Sequence, residues 1–338
     1  VTYRRQEQKP RNHKPTKEFA VRVRQFLVVG AAVLALTAAG CGADTNTSGG
    51  SSSESGGVKI AFITKFPVAF FTAMEDSAKA YAAEHDGVDI SYFSCESPSD
   101  TACQIAQIED AVVKRFQAIV ITPMGPEVVP AMNDAADKGL KIVLADNNLE
   151  DFTKEAAVAA TDNVKGGEAA GDYLKSVLQS GDTIGLMEGV RGVPALDARI
   201  KGVKTALEGT GVKVIIGGSE TQCDAAKGAT VAEDLLTREP DLTAIYSACD
   251  DPAIAAAKVA KQKGKKVLVM GYDGLPDAAK AIEAGDMQAT IAQFPGKMAA
   301  LGVAAAVDAV NGKKVEPFID TGTELVTKDN AAQFTNFQ

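Results

Sequence analysis

Tryptophan is absent from the 338 residues, and histidine occurs only as His13 and His85. The first absence leaves Phe and Tyr for any aromatic platform. The second leaves little for His-based catalysis or a His-rich metal site. No G-x-x-x-x-G-K-[ST] or G-x-G-x-x-G loop occurs, so a nucleotide would lack its phosphate cradle. There is no G-x-S-x-G elbow either, and no histidine placed for a triad. Basic charge is scarce beyond the N-terminus. Residues 1–40 hold eight Lys and Arg against two acids, leaving 27 against 42 and a net −15 for the remainder. A body that acidic is a poor nucleic-acid binder, because phosphate affinity comes from neutralising charge with Lys and Arg, and no nucleic-acid partner is expected. At 46% hydrophobic and 23% charged residues the chain reads as globular rather than disordered, with room for two domains.

What is present begins with an address. Residues 1–24 are basic and polar, and 26–40 (FLVVGAAVLALTAAG) form an apolar run of 15 residues ending at Cys41. A spanning helix needs about 20 residues, so the run matches a secretory signal instead. Ala38-Ala39-Gly40-Cys41 resembles a lipobox, although Ala38 stands where leucine is favoured. Residues 42–57 are a Gly/Ser-rich tether that cannot bury a core. The expectation is a signal over 1–40, a lipidated Cys41, and a tether to residue 57. Export makes the other four cysteines candidates for disulfides. Three pairings are open. Cys95 and Cys103 lie eight apart across a polar loop, which favours Cys95–Cys103 and leaves Cys223–Cys249. A zinc site is not expected, because no C-x-x-C pair occurs, and no cofactor is implied.

From residue 58, β-rich runs alternate with Ala-rich stretches of helical period. The runs are 59–64, 88–94, 118–122, 141–146, 157–161, 183–188, 212–217, 244–248, 266–271 and 288–292. Near-continuous apolar strands separated by helices predict an α/β fold with doubly wound parallel sheets. Residues 147–162 break the alternation, with two strands and no convincing helix between them. That break argues against a barrel and for two lobes whose strand ends face one another across a cleft.

The strand ends carry chemistry: Phe70-Phe71 after the first, Thr122 after the third, Asp146-Asn147 after the fourth. Arg199 follows the sixth, Asp250-Asp251 the eighth, Tyr272-Asp273 the ninth and Gln293 the tenth. Adjacent acids such as Asp250-Asp251 rarely flank a scissile bond; helix capping is the plainer role.

Five motifs then occur in order: the double phenylalanine, the I-x-P turn at 121–123, TDN-xx-GG-xx-AGDYL at 161–174, GYDGLPD at 271–277 and ATIAQFP at 289–295. With them, residues 58–338 resemble the ribose-binding type of periplasmic binding protein, the substrate receptors of sugar ABC importers. The same fold serves LacI-type repressors, but this chain has a signal where those need a helix-turn-helix. The resemblance implies a non-enzymatic receptor that closes on a sugar or small polyol and delivers it to a membrane permease. It implies lobes over 58–161 with 294–320 and over 163–293 with 321–338, joined by three crossings near 162, 293 and 320. A monomer is expected, lipid-anchored to the outer face of the bacterial cytoplasmic membrane. The alternative is a sensory receptor signalling to a membrane kinase.

The site the resemblance implies also makes chemical sense. Hydroxyls donate and accept, so a sugar cleft needs carboxylates, amides and a guanidinium together. Asp146, Asp273 and Asp250 would accept, Arg199 would donate, and Asn147 and Gln293 would do both. Thr122 takes the place of a family asparagine. Phe70, Phe71 and Tyr272 would pack against C–H groups. Other departures thin the polar shell: Asn147 replaces an arginine, Cys223 an aromatic and Cys249 an asparagine. If Cys223 and Cys249 pair in the cleft wall, the ligand is smaller or more apolar than ribose recognition demands.

Overall fold

The computed structural model describes residues 57–97 and 100–337; the expected signal, Cys41 and nearly all of the expected tether lie outside them. All ten expected runs form strands. In the first lobe they are β1 (Val58–Ile63), β2 (Val88–Phe93), β3 (Ala118–Ile121), β4 (Lys141–Ala145) and β5 (Glu155–Ala160). Alternate side chains leave a strand on opposite faces, and both faces here are covered. Ile60 and Phe62 pack beneath α1 (Ala69–Glu84) and the late helix α9 (Pro295–Val310), with Met74, Met298 and Val303. Ala61 and Ile63 face the other way, against Ile108 of α2 (Thr101–Val113) and Met132 of α3 (Val129–Asp137).

The second lobe holds β6 (Thr183–Met187), β7 (Lys213–Ile216), β8 (Ala244–Ser247), β9 (Leu268–Asp273) and β10 (Ala289–Ala292). On one face lie α4 (Asn163–Val177) and α5 (Pro194–Leu207), through Leu174, Ile200 and Val203. On the other lie α6 (Ala225–Arg238), α7 (Asp250–Gln262) and α8 (Pro276–Glu283), through Leu235, Ala256 and Ile282. Two short strands lacked an apolar run to announce them, β11 (Phe318–Asp320) and β12 (Glu324–Thr327). The sheet orders are β11-β5-β4-β3-β1-β2 and β12-β10-β9-β8-β6-β7. Every pairing is parallel except β10 with β12. The second sheet is therefore mixed rather than wholly parallel. The chain leaves β11 in the first sheet and enters β12 directly, with no helix to carry it back to the starting end. It passes between the sheets three times: from β5 to α4, from β10 to α9, and from β11 to β12.

The glycines of the 161–174 motif have a packing reason. A Cβ on Gly167 of α4 would lie 2.5 Å from the carbonyl oxygen of Arg199, and one on Gly202 of α5 would lie 2.6 Å from the amide of Glu168. Only glycine lets the two backbones approach this closely. That approach seats α5, and with it Arg199, over the carboxyl end of the second sheet.

Candidate functional site

Where the two sets of strand ends meet lies a cavity of about 820 Å³. Seven of the ten candidate residues line it: Phe70, Phe71, Asp146, Asn147, Arg199, Asp273 and Gln293. The polar wall belongs to the second lobe and centres on Arg199, whose side chain is 6% exposed. Its Nη1 donates to Asp273 Oδ1 and to the Ala248 carbonyl, and its Nε donates to Asn163 Oδ1, each at 2.8 Å. The guanidinium lies over the Tyr272 ring, 3.9 Å from its centroid, a desolvated cation–π contact. Gln293 Nε2 donates to the same Asp273 Oδ1 at 2.8 Å. Burial opposes the Arg199 charge, but Asp273, then Tyr272, Tyr246 and Asp146, hold its pKa above the ordinary arginine value. Burial pushes the Asp273 carboxyl upward, and the Arg199 charge and hydrogen bond oppose the rise.

The first lobe supplies the opposite wall. Phe70 and Phe71 open α1, with ring centroids 5.5 Å apart and planes at 88°. Asp146 ends β4, and Asn147 follows it. With its amide oriented to satisfy both ends, Asn147 accepts from Lys65 Nζ and donates to Asp146 Oδ2 at 3.2 Å. Lys65 was not among the sequence candidates. It follows β1 and enters the cavity with its Nζ 4.0 Å from Asp146 Oδ2. Burial lowers the Lys65 pKa and raises that of Asp146, and each charge offsets the other's shift. Its position directly after an apolar strand was the available signal. The disulfide Cys95–Cys103, Cα atoms 6.0 Å apart, braces this loop, since the Cys95 amide donates to the Lys65 carbonyl at 2.9 Å.

Three candidates do not line the cavity. Asp250 is wholly buried at the start of α7. Its Oδ1 accepts from Thr290 Oγ1 (2.7 Å) and its Oδ2 from the Leu275 amide (2.8 Å), pinning the turn after β9 to β10. Burial, with Asp273 close by, pushes its carboxyl up to about 8. Its neighbour Asp251 faces the cavity in its place. Thr122 is 1% exposed beneath the first wall; its carbonyl accepts from Gln104 Nε2 at 3.0 Å, and its hydroxyl lies against Met74 Sδ. Tyr272 is buried under Arg199, so its ring face is taken by protein rather than by solvent or solute.

The disulfide Cys223–Cys249, Cα atoms 5.4 Å apart, forms part of the cavity wall. It ties the loop before α6 to the cap of α7. Backbone strain gathers here too. Of the five described non-glycine residues with positive φ, four line the cavity: Asp146 (67°), Gln222 (54°), Cys223 (53°) and Asp273 (126°). Such backbone persists where its surroundings hold it, and it aims both aspartates from the tips of their strands. Around the cavity five carboxylates (Asp146, Asp224, Asp251, Asp273, Asp277) face two cations, Lys65 and Arg199.

A periplasmic binding protein domain matches residues 60–314. The D-ribose/D-allose-binding protein of Pseudomonas aeruginosa is 32% identical over 271 residues, 76% of this chain and 85% of that one. A ribose import binding protein of Haemophilus influenzae is 31% identical over 77% and 87% of the two chains. Among solved structures, an ABC transporter solute-binding protein of Mycobacterium smegmatis with bound glycerol is similar at TM-score 0.75 and 29% identity, covering 84% of this chain and 98% of that one. With two α/β lobes, three crossings and a cleft lined from both sheets, the chain belongs to the periplasmic binding protein family, as a non-catalytic solute-binding protein related to the ribose- and allose-binding members.

Proposed function

We propose that this protein is the extracytoplasmic receptor of an ABC importer and captures a small neutral sugar or polyol between its lobes. The observation that carries the reading is the Arg199–Asp273–Gln293 network opposite Phe70, Phe71, Asp146 and Asn147. Acceptors and donors on two facing walls suit a molecule that presents hydroxyls in several directions, and the rings suit its C–H face. Nη1 and Nε of Arg199 are committed to protein acceptors, so Nη2 is the donor left for ligand oxygens. Lys65 joins the site as a second donor. Five carboxylates against two cations disfavour phosphorylated or acidic sugars. The sulfur wall of Cys223–Cys249 stands in place of one ring and one hydrogen-bonding amide, which favours a short ligand such as a pentose or a polyol. Among the relatives' ligands, ribose and glycerol fit that class, and allose, a hexose, is the longer neutral sugar.

Capture is by closure about the three crossings, and the closed form is what the permease recognises. In this reading residues 1–40 direct export, and Cys41 becomes the lipid anchor at the outer face of the cytoplasmic membrane. Residues 42–57 are the tether that lets a monomeric receptor reach its permease. The two lobes comprise 58–161 with 294–320 and 163–293 with 321–338.

A thermal-shift screen of neutral sugars, short polyols and their phosphates tests the reading. A true ligand at a hundred times its Kd adds about 2.7 kcal/mol of stability and raises Tm clearly. A response to phosphates alone, or to none of these compounds in a folded protein, would overturn it. Mass spectrometry of membrane-extracted protein tests the anchor; an unmodified Cys41 would refute it.

A further inference from the structure

The aromatic lining of the cleft does not stop at the first lobe. Phe66, Phe71 and Phe70 meet in series, edge to face, with ring centroids 5.5 Å apart in both pairs. The next ring in the series is Phe337, 5.9 Å from Phe70 with the planes at 89°. Phe337 also lines the 820 Å³ cavity. It lies three residues beyond the short 3-10 turn Ala331–Phe334. Ala331 and Phe334 of that turn are buried in the second lobe's core, in the same cluster as Ala278, Ala279 and Ile282 of α8. This segment is thus anchored to one lobe and touches a ring carried by the other. Edge-to-face contact is a favoured geometry for such rings, and here it forms only while the lobes are close.

We infer that Phe337 is a specificity-determining residue of the cleft: it completes the aromatic wall over the C–H face of the bound sugar or polyol and latches the lobes together around it. The inference rests on the sugar-or-polyol reading of the cleft. A ring delivered by this segment adds aromatic area to a second-lobe wall that otherwise offers polar groups and aliphatic ones such as Leu196 and Leu275. It also sets the length of ligand that fits, because a longer molecule would displace it. The latch acts on escape, so its loss raises the dissociation rate more than it slows association.

The test uses the full chain, its Phe337→Ala variant and its Phe337→Trp variant, with glycerol, erythritol, D-ribose, D-allose and a disaccharide as probes. Phe337→Ala is expected to weaken binding of the short ligands about tenfold, mainly through faster dissociation, as the loss of one ring contact implies. The disaccharide should gain relative to them, and the Tm of the unliganded protein should stay within about a degree. Because the native chain has no tryptophan, Phe337→Trp gives a single indole reporter, whose emission should change on saturation with a short ligand. Wild-type binding that Phe337→Ala leaves within twofold, with the indole emission of Phe337→Trp blind to ligand, would overturn the latch and leave the sugar reading standing. Binding of no probe by the wild type would remove the sugar reading and this assignment together.

Discussion

The two walls of the cleft are built on different principles. The second lobe presents a finished polar network. Arg199 is held by three acceptors and a ring face, and Asp273 is held by Arg199 and Gln293. The first lobe presents aromatic rings and one looser pair, Lys65 and Asp146, at 4.0 Å. A network satisfied before the ligand arrives needs little reorganisation to bind it, whereas rings give area without direction. In the proposed function, orientation and selectivity would thus be the second lobe's work, and enclosure the first lobe's.

The largest expected effect comes from cutting the network. Arg199→Ala leaves the partly buried Asp273, 20% exposed, without its cation, a loss that stays below the roughly 3–5 kcal/mol of a fully buried pair. Chemical denaturation should show that loss, and calorimetry should show no binding. A variant that kept both stability and affinity would erase the difference between the walls. Next comes the disulfide in the second wall. Reduction, or Cys223→Ser with Cys249→Ser, should lower stability by about 2–4 kcal/mol and weaken binding, because the Cys223 backbone lies in a strained conformation. Unaltered affinity in the reduced protein would show that the sulfur wall does not shape the site. On the first wall, Phe71→Ala should weaken ligand binding through lost ring area and cost about 3–5 kcal/mol of stability, since Phe71 is also packed in the core. Lys65→Met should weaken binding by roughly tenfold with little change in fold, as expected for one lost charged donor.

A separate test is a pH slope. Asp250 titrates near pH 4 when unfolded and is pushed up to about 8 when folded, by burial and by Asp273. The folded state therefore holds more protons between those values. The contribution of this group to stability is full below about pH 4 and is lost as pH rises through about 8. Urea titrations from pH 4 to 8 should show declining stability, and Asp250→Asn should flatten the decline. An unchanged slope would mean the carboxylate is better stabilised by its hydrogen bonds and helix start than burial suggests.

Legibility in the sequence followed the same divide between backbone pattern and side-chain direction. Apolar runs with turn residues gave ten strands, because a strand buried on both faces has few ways to be written. The antiparallel β12 was not legible, since its direction depends on where the chain leaves β11. Asp273 could be assigned to the cleft from its place at a strand tip. Tyr272 was assigned with it, but both meet the same Arg199 guanidinium, and only its seating over the ring shows that Tyr272 is covered by protein. Asp250 and Asp251 are a different case. Two adjacent acids at a helix start differ by one step of rotation, and only the seated helix decides which of them faces the cavity.

The sequence by itself determined the α/β pattern, favoured the two cysteine pairs that form, and marked most of the strand-end residues that gather at the cleft. Each of these is a local property, readable from composition, period and spacing. Only the tertiary structure decided that Lys65 enters the site, that Asp250 and Tyr272 serve the scaffold, and that Phe337 meets Phe70 across the lobes. Those outcomes depend on how the backbones of α4 and α5 close on one another and where three crossings set two sheets. No window of sequence contains both partners of such a contact.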